Sequence, residues 1–499
     1  MKPKNTTRRQ VRTFAIAWTG ITVLMGACTF FAIYIAYGVV NPTNSMTDTR
    51  NMALPLDVTP TPVQAAVVLP SSTAQPTSEA SATPEQAASP SPQAVAQAQA
   101  TDEATEEMAE AAAQSAPPTD EPTAQPSPTL LPVDDEVFQA GIQVQYALDG
   151  NPDMQDLWMG EVKKLNMDWF KQQIRWEDVE PEEGEFDWAR LDLAFEAAAE
   201  HSLKVMASIV TAPEWAREPG VDLSKHGPPA DPQDFVNFIT ALLERYPNRI
   251  HGIEVWNEQN LDREWMSTGG LSASAYVNML RTVYTAVKDI DPGIIIISGA
   301  LSPTGGWTEP DGRVSALDDF VYLDQLIAAG LLNYTDCVGA HHNGYNIGPS
   351  VPWDNVTNDP NATFRGPFDN PHHSWSFYST LQTYAQKIQL AGGDQKLCVT
   401  EFGWASTEDL DGSPPGFGFA DDNTLAEQEE WTIEALELMA EWDTVWLAFV
   451  WNLNYGAQAG WDPSNDNVPY SIIGKDWNFR PVYGALTEWQ AAYKEELGR

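Results

Sequence analysis

Glu254-Val255-Trp256-Asn257-Glu258-Gln259-Asn260-Leu261 is the stretch whose reading decides the fold, together with its counterpart Cys398-Val399-Thr400-Glu401-Phe402-Gly403-Trp404. Each places a carboxylate where a short apolar run gives out, and runs of this length bounded by polar residues read as buried strands. Similar runs occur at Gly141 to Tyr146, Trp169 to Trp176, Leu203 to Val210, Gly293 to Gly299, Cys337 to His341 and Val445 to Trp451. With Ile250 to Trp256 and Leu397 to Phe402 they make eight. Amphipathic helices lie between them; Tyr276, Leu280, Val283, Tyr284 and Val287 share one face before Asp291-Pro292 stops the pattern. A last helix is expected over Tyr483 to Glu496. Strands alternating with helices imply parallel pairing and right-handed crossovers, and eight such units match a (β/α)8 TIM barrel with insertions. An active site in that fold lies at the C-terminal ends of the strands, where Glu258 and Glu401 fall.

Upstream of the barrel the composition changes twice. Residues 14–40 are uncharged and mostly apolar, long enough at about 1.5 Å per residue to cross a ~30 Å hydrocarbon core. They are too long for a cleaved signal peptide, so a single transmembrane signal-anchor is expected. Residues 1–13 carry Lys2, Lys4, Arg8, Arg9 and Arg12, a basic segment that stays cytoplasmic, which puts the rest of the chain outside the cell. Residues 41–135 are rich in Ala, Pro, Ser, Thr and Gln and read as a disordered linker. Residues 136–499 hold the barrel domain.

The net charge of -43 argues against nucleic acid or another polyanion as partner and fits an uncharged substrate such as carbohydrate. Of the three cysteines, Cys28 falls in the apolar run, while Cys337 and Cys398 open two strands; two buried thiols are expected, with a disulfide between neighbouring strands as the alternative. Neither His341-His342 nor His372-His373 has a carboxylate at recognised ligand spacing, so no metal is expected, and no cofactor. Nothing in the sequence specifies an oligomer.

Strands four and seven of a closed barrel face each other across its mouth, so Glu258 and Glu401 can flank one substrate. A retaining glycosidase sets such a pair ~5 to 5.5 Å apart, one as nucleophile and one as acid/base, whereas an inverting enzyme needs a wider gap. Glu254 lies deeper on its strand, where stability is the commoner role.

Trp256-Asn257-Glu258-Gln259-Asn260-Leu261 followed by Trp265 resembles the acid/base motif of clan A retaining glycoside hydrolases, above all the β-xylosidase and α-L-iduronidase-like family, with cellulase-like families next. Thr400-Glu401-Phe402-Gly403-Trp404 is similar to that clan's nucleophile motif, and Ile174-Arg175-Trp176-Glu177-Asp178-Val179-Glu180-Pro181 to its second strand and loop. Gln259 replaces the clan's usual proline. The resemblance implies a glycosidase acting on O-glycosyl compounds, with Glu258 as acid/base and Glu401 as nucleophile. It further implies that Arg175 holds Glu401 in its charged form, that Asn257 binds the sugar 2-hydroxyl, and that His341 and Tyr345 serve the sugar site, Tyr345 through a hydrogen bond to Glu401. Trp451 at the end of strand eight is expected beneath the reacting sugar, with Trp404 second. Long insertions at residues 346–374 and 405–423 would overhang the mouth and select the substrate. A silent carbohydrate-binding protein and a transglycosylase using the same site are the alternatives.

Overall fold

All eight expected strands form, in the expected order. They are β1 (Gln139–Gln143), β2 (Trp169–Arg175), β3 (Lys204–Val210), β4 (Ile250–Val255), β5 (Ile295–Ser298), β6 (Val338–Gly344), β7 (Leu397–Trp404) and β8 (Val445–Val450). Between and after them run α1 (Pro152–Lys164), α2 (Ala189–Glu200), α3 (Pro232–Arg245), α4 (Ala273–Ile290), α5 (Asp319–Ala328), α6 (Phe377–Leu390), α7 (Leu425–Glu441) and α8 (Pro481–Glu496). This computed structural model describes residues 131–134 and 137–499. The basic segment 1–13, the apolar run 14–40 and nearly all of the linker 41–135 lie outside the described residues. No helix among the described residues is long and apolar enough to cross a membrane.

Neighbouring strands pair in parallel in the order β5-β4-β3-β2-β1-β8-β7-β6. Parallel bridges Ile297 to Cys337 and Leu301 to Ala340 join the two ends, so the sheet closes. A short antiparallel hairpin, Trp307–Thr308 against Val314–Ala316, follows β5 and was not expected. Helix starts are set by local chemistry: Asn151, Asp231, Ser272, Asp318, Ser376 and Thr424 each accept a backbone N–H of the first turn, and Thr424 with Glu427 completes a capping box.

The core has two layers because strand side chains alternate. One set faces the helices and packs with Trp158, Phe195, Phe238, Tyr276, Tyr322 and Tyr384. The other fills the barrel, where Trp169, Met206, Ile295, Ile297, Leu447 and Phe449 form a separate cluster. That interior is full: a Cβ on Gly141 would meet Phe449 and Trp169 at 2.8 Å.

Cys337 and Cys398 belong to the inner cluster and form a disulfide, with Cα atoms 5.7 Å apart. This corrects the expectation of two thiols. Parallel pairing of β6 with β7 sets Val338 beside Leu397 and so brings the two cysteines together. Above the mouth, the two insertions share a further aromatic cluster of Tyr345, Trp375, Phe417, Phe419, Trp451 and Tyr470. Asp422 ties them: it accepts Asn346 Nδ2 at 2.9 Å and the backbone N–H groups of Thr363 and Phe364 at 2.8 and 2.9 Å.

The disulfide closes a loop across 61 residues of chain, a constraint that acts on the unfolded state. Cys337→Ser with Cys398→Ser should lower unfolding free energy by about 2–4 kcal/mol in denaturant titration; an unchanged midpoint would contradict a structural role for the bond.

Candidate active site

β4 ends in a sharp backbone turn. Trp256 and Glu258 both take positive φ, 79° and 46°, values that cost a side-chain-bearing residue free energy and cluster at functional sites. The turn is held from several directions. Trp256 donates its backbone N–H to Ile209 O (3.1 Å) and its indole N–H to Glu264 O (2.9 Å), and Glu258 N–H reaches Ala300 O (2.8 Å). Gln259, standing where the related motif has proline, donates its side-chain amide to Gly299 O at 2.7 Å. A Cβ on Gly299 would meet Gln259 Oε1 at 2.6 Å and Val255 O at 2.7 Å, so glycine is required there for the turn to close on β5.

Glu258 and Glu401 are brought together. His341 on β6 sits between them, its Nδ1 3.3 Å from Glu258 Oε1 and 3.8 Å from Glu401 Oε2. Those two oxygens are therefore at most about 7 Å apart, short of most of the roughly 6.5–9.5 Å range of inverting pairs. Glu258 and Glu401 are 5% and 2% exposed. Burial alone would lower the His341 pKa, but Glu401 and the hydrogen bond to Glu258 outweigh it and raise it.

Beneath this pair lies a charged layer that sequence reasoning missed. Lys171 on β2 is completely buried; its Nζ donates to Glu401 Oε1 at 2.9 Å and Thr400 O at 3.2 Å, and stands 3.3 Å from Glu254 Oε2. Thr400 Oγ1 donates to Glu254 Oε1 at 2.6 Å. Burial acts to lower the Lys171 pKa, yet Glu254 and Glu401 together raise it. For Glu254 burial acts to raise the pKa, and Lys171 reverses this and lowers it. A lysine in the middle of the Trp169–Arg175 strand, flanked by Phe170 and Gln172, was the available signal. On the outer side, Arg263 reaches Glu258 Oε2 at 3.4 Å and Glu264 Oε1 at 3.5 Å.

The other expected site residues fall as follows. Asn257 is buried beside Glu258, at 2% exposure. Arg175 tops β2 on the same strand face as Lys171; it pairs with Glu177 and Asp178 and lies 3.2 Å from His226 Nε2. Tyr345 stacks on Phe364 and meets Trp375 and Phe419 edge-on; burial raises its pKa, with Glu258 the next cause. Tyr455, whose hydroxyl accepts from Gln143 Nε2 at 2.7 Å, and Tyr470 both feel the charge of Glu401, and neither was expected there. Trp451 is buried at the end of β8 against Tyr455, with ring centroids 4.8 Å apart. Trp404, expected second to it, lies in the helix-facing layer instead. Its ring packs on Phe377 of α6 and Trp431 of α7, and its indole N–H donates to Ile347 O at 3.0 Å. Alternation along β7 explains this, because residues 401 and 404 point to opposite faces.

No protein-family model and no curated protein matches the chain. Among solved structures it is similar to a family 39 glycoside hydrolase from the gut symbiont Bacteroides cellulosilyticus WH2, 18% identical with a TM-score of 0.50, the match covering 74% of this chain and 66% of that one. GH5_18 from Streptomyces cattleya follows at 15% identity, a TM-score of 0.49 and coverage of 73% and 82%. Xylanase 10B from Thermotoga maritima is 14% identical with a TM-score of 0.46 and coverage of 72% and 97%. The chain thus spans just under two thirds of the first of these. At 18% identity the likeness to it establishes the barrel fold that the motifs implied.

Lys171→Met would leave Glu254 and Glu401 buried together without their cation, a change that costs about 3–5 kcal/mol when one partner of a buried pair is lost. With Glu254 held below its ordinary 4.5 by Lys171, the stability it lends is present above that value and lost as pH falls through the lower folded value. The deficit of the variant should therefore be largest near pH 7 and shrink below about pH 5, as Glu254, left without Lys171, takes up a proton. Denaturant titrations across pH check this, and a deficit independent of pH would contradict it.

Proposed function

We propose that this chain is a retaining glycoside hydrolase that cleaves a β-linked oligo- or polysaccharide by double displacement. The observation that carries the proposal is the convergence of Glu258 and Glu401, from strands on opposite sides of one mouth, on a single nitrogen of His341. Glu401 attacks the anomeric carbon while Glu258 gives its proton to the departing glycosidic oxygen. The glycosyl ester on Glu401 is then opened by water, which Glu258, now a base, deprotonates. Lys171 fixes Glu401 through Oε1, which leaves Oε2 on the His341 side. Asn257 beside Glu258 supplies a partner for the sugar 2-hydroxyl, a contact that strengthens in the transition state. Trp451 offers an aromatic face beneath the sugar.

The barrel is proposed to stand outside the cell on the linker 41–135, anchored by residues 14–40. The buried Cys337–Cys398 bond supports an oxidising compartment. Protease added to intact cells should then degrade the barrel, and full protection would overturn the topology.

Assayed on a panel of aryl and natural β-glycosides, the full-length protein should release sugar. Glu401→Ala should abolish turnover. Glu258→Ala should slow formation of the glycosyl ester by about 10²–10⁴-fold on substrates with poor leaving groups and much less on nitrophenyl glycosides, which depart without a proton, so that on the latter the ester accumulates for want of its base. Binding without turnover, unaffected by Glu401→Ala, would favour a silent carbohydrate-binding protein; products longer than the substrate would identify a transglycosylase.

A further inference from the structure

On the same face as the mouth, but apart from the paired glutamates, the loop after β5 meets the insertion after β6 at Asp318, His372 and His373. In sequence the histidine pair has no carboxylate at a recognised ligand spacing, the ground on which no metal was expected. The fold supplies one. Asp318 Oδ2 lies 3.0 Å from His373 Nε2 and 3.7 Å from His372 Nε2, and the three donor atoms all fall within 4.8 Å of one another. Among the described residues this is the one cluster of three or more potential metal-ligating side chains so arranged.

We propose that Asp318, His372 and His373 form a divalent-cation site of the zinc class, which clamps the β5 loop to the β6 insertion. Ligand atoms at ~2.0–2.1 Å from a tetrahedral zinc ion lie roughly 3.3 Å apart, and the observed separations bracket that spacing. Two imidazoles and one carboxylate suit zinc, cobalt or nickel, whereas calcium and magnesium favour sets made wholly of oxygen.

The surrounding groups have the form that metal-bound histidines require, in which the second ring nitrogen finds its own partner. His373 Nδ1 faces the Asp319 carboxylate at 3.7 Å, and that carboxylate is itself fixed by Tyr384 Oη at 2.8 Å and Thr304 N–H at 3.0 Å. His372 Nδ1 has Ser374 Oγ at 2.9 Å; it also takes the Ser374 N–H at 3.2 Å, a bond that gives way when Nδ1 carries a proton toward Oγ. Asp318 uses Oδ1 to cap α5 through Val321 N–H, which leaves Oδ2 for the ion. The His373 ring stacks on Phe320 with centroids 3.5 Å apart, so its orientation is set before any ion arrives. All three side chains keep some exposure, 22%, 31% and 11% in chain order, leaving an entry path and room for water as a fourth ligand.

The proposal is independent of what the barrel hydrolyses and is tested by binding. Full-length protein stripped with a chelator is titrated with Zn²⁺ by calorimetry, and with Co²⁺ while its visible absorption is followed. One ion per chain should bind at micromolar concentration or below, raising the thermal midpoint. Asp319→Asn should weaken binding about 10–100-fold, as loss of an outer partner does. Asp318→Asn keeps the helix cap, since asparagine caps as well as aspartate, and should weaken binding further still, as should His373→Gln. Wild-type protein that needs millimolar Zn²⁺, or an Asp318→Asn/His373→Gln double variant that binds as tightly as wild type, would overturn the assignment.

Discussion

A fully buried ammonium group, Lys171 Nζ, lies between two buried carboxylates, 2.9 Å from Glu401 and 3.3 Å from Glu254. A charge without a partner in such a place costs several kcal/mol, so each member of this trio depends on the other two. The dependence reaches in both directions along the barrel axis. Below it the interior is apolar and closed by Trp169, Phe449 and the Cys337–Cys398 bond; above it Glu401, His341 and Glu258 open to the mouth. The trio is the boundary between the apolar barrel interior and the mouth that holds the proposed catalytic pair. It holds the proposed nucleophile through its Oε1 oxygen.

The insertions complete the upper half. Their aromatic cluster includes Trp451 and Tyr345, which belong to the candidate site, so the loops and the mouth share one set of packed rings. Asp422 fastens the first insertion to the second, and the Asp318, His372 and His373 cluster lies where the β5 loop meets the first. Selection among sugars would then depend on loops fixed at several points, in keeping with the rigid support that accurate placement of a substrate demands.

Much of this was legible in the sequence because its signals are local. Each barrel strand is a short apolar run, and Glu258 and Glu401 stand where two such runs end, so fold and proposed catalytic pair could be read without any long-range information. Trp404 was misplaced although the signal was present: three residues separate it from Glu401, and strand alternation sends the two to opposite faces. Lys171 was visible as a charge in the middle of a strand, but its partner Glu401 lies 230 residues away, and only closure of the barrel joins them. The same holds for His373 and Asp318, 55 residues apart, and for the two cysteines, whose pairing follows from the register of β6 on β7. Spacing motifs capture ligands that share an element; they miss those that meet through topology.

The central claim, that Glu401 becomes covalently bonded to sugar in a site built on Lys171, is tested most directly by trapping that intermediate. Full-length protein incubated with a 2-deoxy-2-fluoro-β-glycoside bearing a good leaving group, of the sugar type it hydrolyses, is digested and read by mass spectrometry. The account predicts one glycosyl adduct per chain, on the peptide containing Glu401. Turnover of the parent glycoside with no adduct and with inverted anomeric configuration, or an adduct on another carboxylate, would contradict it.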